Sequence, residues 1–212
     1  VRKSRAIAVL AVGLLALPVA ASAHQGDPNY RSEVAGVRPA ADGVSVRALG
    51  FDDRLEIVNR SGRTVVIRGY EGEAYARLLG DGTVQVNLNS PAYYVNGDRF
   101  GKQPVPASAG AGKAPRWKTL DRTGVFEWHD HRAHWMGTGK PPQVADESRR
   151  TRIFDYRVPL GIDGRPAAVV GTLYWVGSAG GEMPLAAVAA LAFVVVAGIA
   201  AVMAARRRNR PS

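Results

Sequence analysis

The chain reads as an all-β sandwich domain carried on one C-terminal transmembrane helix. Three observations predict this. Apolar and polar residues alternate in short segments through the middle of the chain, the period of a strand with one buried face. Turn dipeptides separate the segments: Asp42-Gly43, Ser61-Gly62, Asp81-Gly82, Asn96-Gly97 and Asp163-Gly164. Residues 183–205 carry no charge and exceed the roughly 20 residues a helix needs to cross a bilayer core.

In chain order, Arg2, Lys3 and Arg5 precede an apolar stretch interrupted by Pro18. Ala21-Ser22-Ala23 then puts small residues at the two positions a signal peptidase reads, so residues 1–23 are expected to be a secretory signal peptide. Cleavage after Ala23 makes His24 the N-terminus of a sandwich ectodomain spanning 24–176. Residues 177–182 form a short glycine-rich linker, and 183–205 the transmembrane helix, with Pro184 in its first turn. The arginines of the tail, 206–212, stay on the cytoplasmic side. The expected topology is single-pass type I in the cell membrane, with the ectodomain outside the cytoplasm.

This organisation explains the charge. The formal net charge is +10, but seven of the 28 basic residues lie in the signal segment and the tail. The remainder nearly balances the 18 acidic residues and leaves the ectodomain at about +3. The basic pI therefore reports membrane topology, and no basic helix or basic-aromatic strand pattern points to nucleic acid. The chain has no cysteine, which excludes disulfides, cysteine-based zinc sites and thiol nucleophiles.

Within the ectodomain, 24–42 is a polar lead-in with an edge strand near 33–37. Val44, Val46 and Ala48 alternate, as do Leu55 and Ile57, and Val84, Val86 and Leu88. Residues 55–59 and the β-branched run 64–67, joined by Arg60-Ser61-Gly62, read as a hairpin of the kind common in immunoglobulin-like sandwiches. Residues 101–124 form a long low-complexity loop. Phe154, Tyr156, Val158 and Leu160 alternate again, and Asp163-Gly164 turns the chain into 167–176 as a second hairpin. No stretch of the ectodomain keeps a 3.6-residue period for three turns, so helices should be few.

The chemistry-bearing stretch is FEWHDHRAHWM over residues 126–136, which holds three of the four histidines. If 126–131 is a strand, Glu127, His129 and His131 share one face, and His134 approaches from the following turn. Imidazoles at this spacing suit zinc or copper(II), with Glu127 as a further ligand. A free amine and ring on His24 would extend the set for copper(II). An N-terminal histidine on a β-sandwich is similar to CopC-like copper carriers and histidine-brace oxygenases, although that resemblance covers one residue and the fold class. Against the metal stands architecture: histidines beside tryptophans and an arginine often pin loops, and Asp130 and Arg132 would pair across a turn.

Together with Gly69-Tyr70-Glu71-Gly72-Glu73 and Asn89-Ser90-Pro91-Ala92-Tyr93-Tyr94, the 126–136 stretch resembles a family of exported, single-pass membrane-anchored proteins of high-GC Gram-positive bacteria. The resemblance covers most of the ectodomain and implies topology without implying an activity.

The expected function is non-enzymatic. A membrane-held sandwich would bind an envelope protein or polymer through Tyr93, Tyr94, Trp117 and Trp135. The alternative is copper or zinc binding and delivery through His129, His131 and His134, with His24. Glu127 and Asp130 would face opposite ways on a strand, poor geometry for a carboxylate pair, and no G-x-S-x-G, H-E-x-x-H or dinucleotide motif occurs.

Overall fold

Among the described residues, ten antiparallel strands, joined up and down, build two sheets. The computed structural model describes residues 26–177 and, beyond them, 193–198 and 202. The strands are β1 (Tyr30–Arg38), β2 (Val44–Leu49), β3 (Arg54–Asn59), β4 (Val65–Arg68), β5 (Ala74–Leu78), β6 (Val84–Asn87), β7 (Trp117–Asp121), β8 (Val125–Trp128), β9 (Thr151–Ile162) and β10 (Arg165–Trp175). One short helix, α1 (Pro91–Val95), lies between β6 and β7. The order is β1-β10-β9-β4-β5-β6-β7 in the larger sheet and β2-β3-β8 in the smaller.

The alternation seen in sequence is the alternation of burial. Leu55 and Ile57 of β3, Val65 and Ile67 of β4, Val84 and Val86 of β6 and Val158 and Leu160 of β9 point into one buried cluster that draws on both sheets. Tyr75, Phe126, Trp128 and Tyr156 complete it, with Phe126 and Trp128 stacked at 5.7 Å. A smaller cluster of Tyr30, Val144, Ile153, Leu173 and Trp175 straddles a register shift between Leu173 and Tyr174. The β9–β10 hairpin matches the sequence reading. Asp163 and Gly164 both have positive φ, at 46° and 76°, as a two-residue turn between twisted strands requires.

Two readings are corrected. Residues 55–59 and 64–67 do not pair with each other: β3 lies between β2 and β8, and β4 between β5 and β9. Alternation gives each strand a buried face without saying which sheet owns it. The link between them crosses from one sheet to the other, and the Asn59 side chain fixes the crossing. Its amide donates to Arg63 O at 2.7 Å and Leu78 O at 3.2 Å, while its oxygen accepts from Ser61. Residues 101–124, read as loop, contain β7. This strand ends the larger sheet with mostly exposed side chains, so it lacks the apolar alternation that marks its neighbours.

The up-and-down path sorts the connections. Residues 39–43, 60–64, 79–83, 122–124 and 163–164 lie at one end of the strands, all of them short. At the other end lie 26–29, 50–53, 69–73, 88–116 and 129–150, together with the exit from β10. The three sequence blocks 69–73, 89–94 and 126–136 fall at this loop end, apart from the strand residues at the start of the third.

Residues 26–177 belong to one compact unit and the C-terminal residues from Ser178 to another. The expected signal segment and His24 lie outside the described residues, as does most of 183–205. Phe193, Val194, Val195, Val196 and Val202 of that run are helical and exposed. Among the described residues no helix is long and apolar enough to cross a membrane.

Candidate functional site

The strand that carries the histidine stretch stops early. β8 ends at Trp128, so the strand alternation expected over 126–131 does not reach the histidines. Trp128 itself ends it. Its indole N–H donates to Asp130 Oδ2 at 2.8 Å, and Ala133 N–H closes a turn onto Asp130 O at 2.9 Å. Asp130 is fully buried and also accepts from Arg132: backbone N at 3.1 Å, Nε and Nη2 at 2.7 Å each. Burial alone would lower the Arg132 pKa, but hydrogen bonding to Asp130 and its charge outweigh this and hold it above the ordinary value.

Arg132 and Glu73 tie the three sequence blocks together. The Nη2 of Arg132 also donates to Arg68 O at 3.1 Å, and its guanidinium lies 4.7 Å from the Tyr70 ring centroid. Tyr70 donates to Asn96 Oδ1 and accepts from His131 N–H at 3.0 Å, with its ring stacked on the imidazole. Burial first, then the Asp130 charge, raises the Tyr70 pKa, which keeps its hydroxyl protonated as a donor. Glu73, at the end of the same turn, accepts from Ser90 Oγ at 2.6 Å at the start of α1. A Cβ at Gly69 would lie 1.9 Å from Glu73 Oε1, so a larger residue there would push this carboxylate off Ser90.

A second charge cluster stands beside the first. Arg99 donates to both oxygens of Asp52 at 2.8 and 2.9 Å and to Asp53 Oδ1 at 3.2 Å. Both carboxylates are buried. Burial raises the Asp52 pKa, and Arg99 opposes the rise. His129 reaches this cluster, its Nδ1 2.7 Å from Asp53 O. None of Asp52, Asp53 or Arg99 stood out in the sequence. Two adjacent acids in the turn after β2 were the available signal, but their arginine lies in another loop.

The remaining ligand candidates divide. His131 Nε2 sits 3.0 Å from Asp98 O. His134 Nδ1 lies 3.2 Å from Trp135 O, and its Nε2 is buried without a hydrogen-bond partner. The two rings meet edge to face at 5.3 Å. Burial, and next the charge of Arg99, pushes the His134 pKa down to about 4, so this imidazole is neutral at pH 7. Glu127 is elsewhere: it faces outward, paired with Arg54 at 2.9 Å and opposite Glu56 in the neighbouring strand. The structure thus joins His131 to His134, places His129 against Asp53 and separates Glu127. Among the described residues, no three His, Asp or Glu side chains come together as a metal-holding group.

Beside these clusters opens a cleft of about 530 Å3, lined among others by Tyr30, Arg99, Phe100, Trp135, Lys140 and Trp175. The indole N–H groups of Trp135 and Trp175 are spent on Gly139 O and Glu147 O, each at 2.9 Å. Their rings therefore offer the cleft apolar surface. Of the other aromatics singled out in sequence, Tyr93 and Tyr94 are half-buried and pack edge to face at 5.1 Å. Trp117 lies beneath Arg77 at 4.1 Å.

No family model, curated protein or solved structure matches the chain.

Proposed function

We propose that this is an exported, membrane-anchored binding module of the cell envelope, without enzymatic activity, its two sheets stacked as an immunoglobulin-like β-sandwich. The uncharged run 183–205 followed by arginines supports a type I anchor. The common buried cluster drawn from both sheets supports the sandwich. One observation carries the binding role: two buried charge clusters fix the loop end around a cleft lined with aromatic side chains and with charges of both signs. The buried carboxylates are held by arginines, and each of the three described imidazoles sits on a backbone carbonyl. These polar groups serve shape, which favours recognition over turnover.

The test uses the cysteine-free chain in intact cells. A cysteine introduced at Arg122 should react with a membrane-impermeant maleimide, and one at Ser212 should react only after lysis. A photo-crosslinking residue at Phe100 should give a discrete adduct with an envelope component, whereas one at Arg122 should not. Labelling of Ser212→Cys in intact cells would refute the topology. Identical crosslinking at positions 100 and 122 would refute the binding face.

A second reading is copper or zinc binding through His129, His131 and His134, extended by His24 and, after rearrangement, Glu127. The unpartnered, buried Nε2 of His134 beside the His131 ring favours it, since a ligating imidazole commonly places Nδ1 on a carbonyl and leaves Nε2 for the metal. Stoichiometric metal in the protein purified with His24 as its N-terminus, lost when His129 and His131 are both changed to Ala, would establish this reading. A folded protein without metal affinity would dismiss it.

A further inference from the structure

We infer that the loop end is a membrane-docking face, resting its apolar tips on the interfacial zone of the bilayer that holds the anchor. This inference rests on the proposed membrane span.

The first observation is where apolar surface is exposed. Among the described residues of the compact unit, the exposed large hydrophobic side chains are Tyr70, Phe100, Val105, Leu120 and Met136. Four of these five belong to loop-end connections, Leu120 lies in β7, and the short turns at the opposite end contribute none. Phe100 is the most exposed at 51%, and Lys102 places its ammonium 5.6 Å from the Phe100 ring centroid. The cleft behind Phe100 carries Trp135 on its wall, where Lys140 is paired with Glu147 at 2.8 Å. An exposed aromatic ring with a lysine beside it at a loop tip, as at Phe100 and Lys102, suits the headgroup region, where the ring loses water and the ammonium meets lipid phosphate.

The second observation is the length of chain leaving this end. Trp175 closes β10 and lines the same cleft, and Gly177 is the last described residue of the unit. From Gly177 to Met183 a fully extended peptide covers only about 20 Å, at most ~3.6 Å per residue. A bilayer holding 183–205 must therefore lie within that distance of the loop end. The turn end is farther by the length of the long β10, for which strand geometry gives ~35 Å. The face that carries the exposed apolar side chains is the one the tether brings to the lipid. Bilayer surface is accordingly the occupant we assign, ahead of a soluble partner.

Single cysteines at Phe100, Met136 and Arg122 in the otherwise cysteine-free full chain provide the test. Each variant carries an NBD fluorophore and is reconstituted into vesicles of phosphatidylglycerol and phosphatidylcholine, with or without a doxyl-labelled lipid as quencher. Near-ultraviolet circular dichroism confirms native packing of each labelled protein. The expected result is blue-shifted emission with several-fold stronger lipid quenching at positions 100 and 136 than at 122. Equal, weak quenching at all three positions, in protein that resists carbonate extraction, would overturn the docking while leaving the anchor intact. Release of the full chain by carbonate would overturn the membrane span and the docking with it.

Discussion

The two ends of this molecule solve the same problem differently. Each must reverse the chain between antiparallel strands. The turn end does so locally. Asp163 and Gly164 complete a two-residue turn, Gly82 takes φ 87° after Asp81, and Gly62 takes φ 69° with no atom near its missing side chain. The loop end uses long connections and then holds them by side chains. Arg99 joins Asp52 and Asp53 from a separate loop, and Arg132, paired with Asp130 in its own loop, reaches Arg68 O at the end of β4; both are buried ion pairs. Such pairs add little net stability over apolar packing, but they are costly to break and specify one arrangement. The loop end is a second core, a polar one.

The largest expected effect follows from breaking that polar core. Asp130→Ala leaves the Arg132 guanidinium and the Trp128 N–H buried without their acceptor, which should cost about 3–5 kcal/mol in urea unfolding. A loss below about 1 kcal/mol would mean that water replaces the carboxylate and the pair is not structural.

The next prediction concerns pH. In the unfolded chain His134 titrates near its ordinary 6.5, and in the fold near 4. Between these values the unfolded state holds the extra proton. The contribution is therefore complete above pH 6.5 and is lost as pH falls towards 4, at most about 3 kcal/mol in all. Asp52 works in the opposite sense, because its raised pKa favours the protonated folded form. Comparison with His134→Gln isolates the histidine: the difference in stability between the two proteins should change over pH 6.5 to 4 and stay constant above it.

The turn end should respond less. Gly62→Ala keeps open space around its methyl but forces an L-residue to positive φ, costing about 1–2 kcal/mol. At the surface of the loop end, Lys140→Ala breaks an exposed pair with Glu147 and should cost less than about 1 kcal/mol in the same measurement. If Gly62→Ala cost more than Asp130→Ala, the contrast between the ends would fail.

The same contrast explains what the sequence discloses. Strand alternation and glycine turns are local signals, so β2, β6 and the β9–β10 hairpin are readable from Val44, Val84 or Asp163-Gly164 alone. Sheet membership is not local. Nothing in 55–67 says that Asn59 will bind Leu78 O and carry the chain into the other sheet. At the site, the histidine cluster stands out as composition, and the Asp130–Arg132 pair lies two residues apart and is legible. The partners that decide the role of the histidines come from distant loops. Asp53 meets His129 across 76 positions, and Tyr70 meets His131 across 61. The early end of β8 is likewise set by the indole bond of Trp128 to Asp130, which strand periodicity does not contain.

Native-state hydrogen exchange of the backbone amides in 129–135 tests the polar core most directly. His131 N–H donates to Tyr70 at the exposed edge of this assembly, while Arg132 N–H donates to Asp130 Oδ1 and Ala133 N–H to Asp130 O beside the buried carboxylate. If this assembly is a core, these amides exchange only through the global unfolding that exposes β3 and β9, with the same free energy and the same denaturant dependence. Exchange through a local opening, several kcal/mol below the strands and insensitive to denaturant, would show that the loop end is ordinary connecting chain.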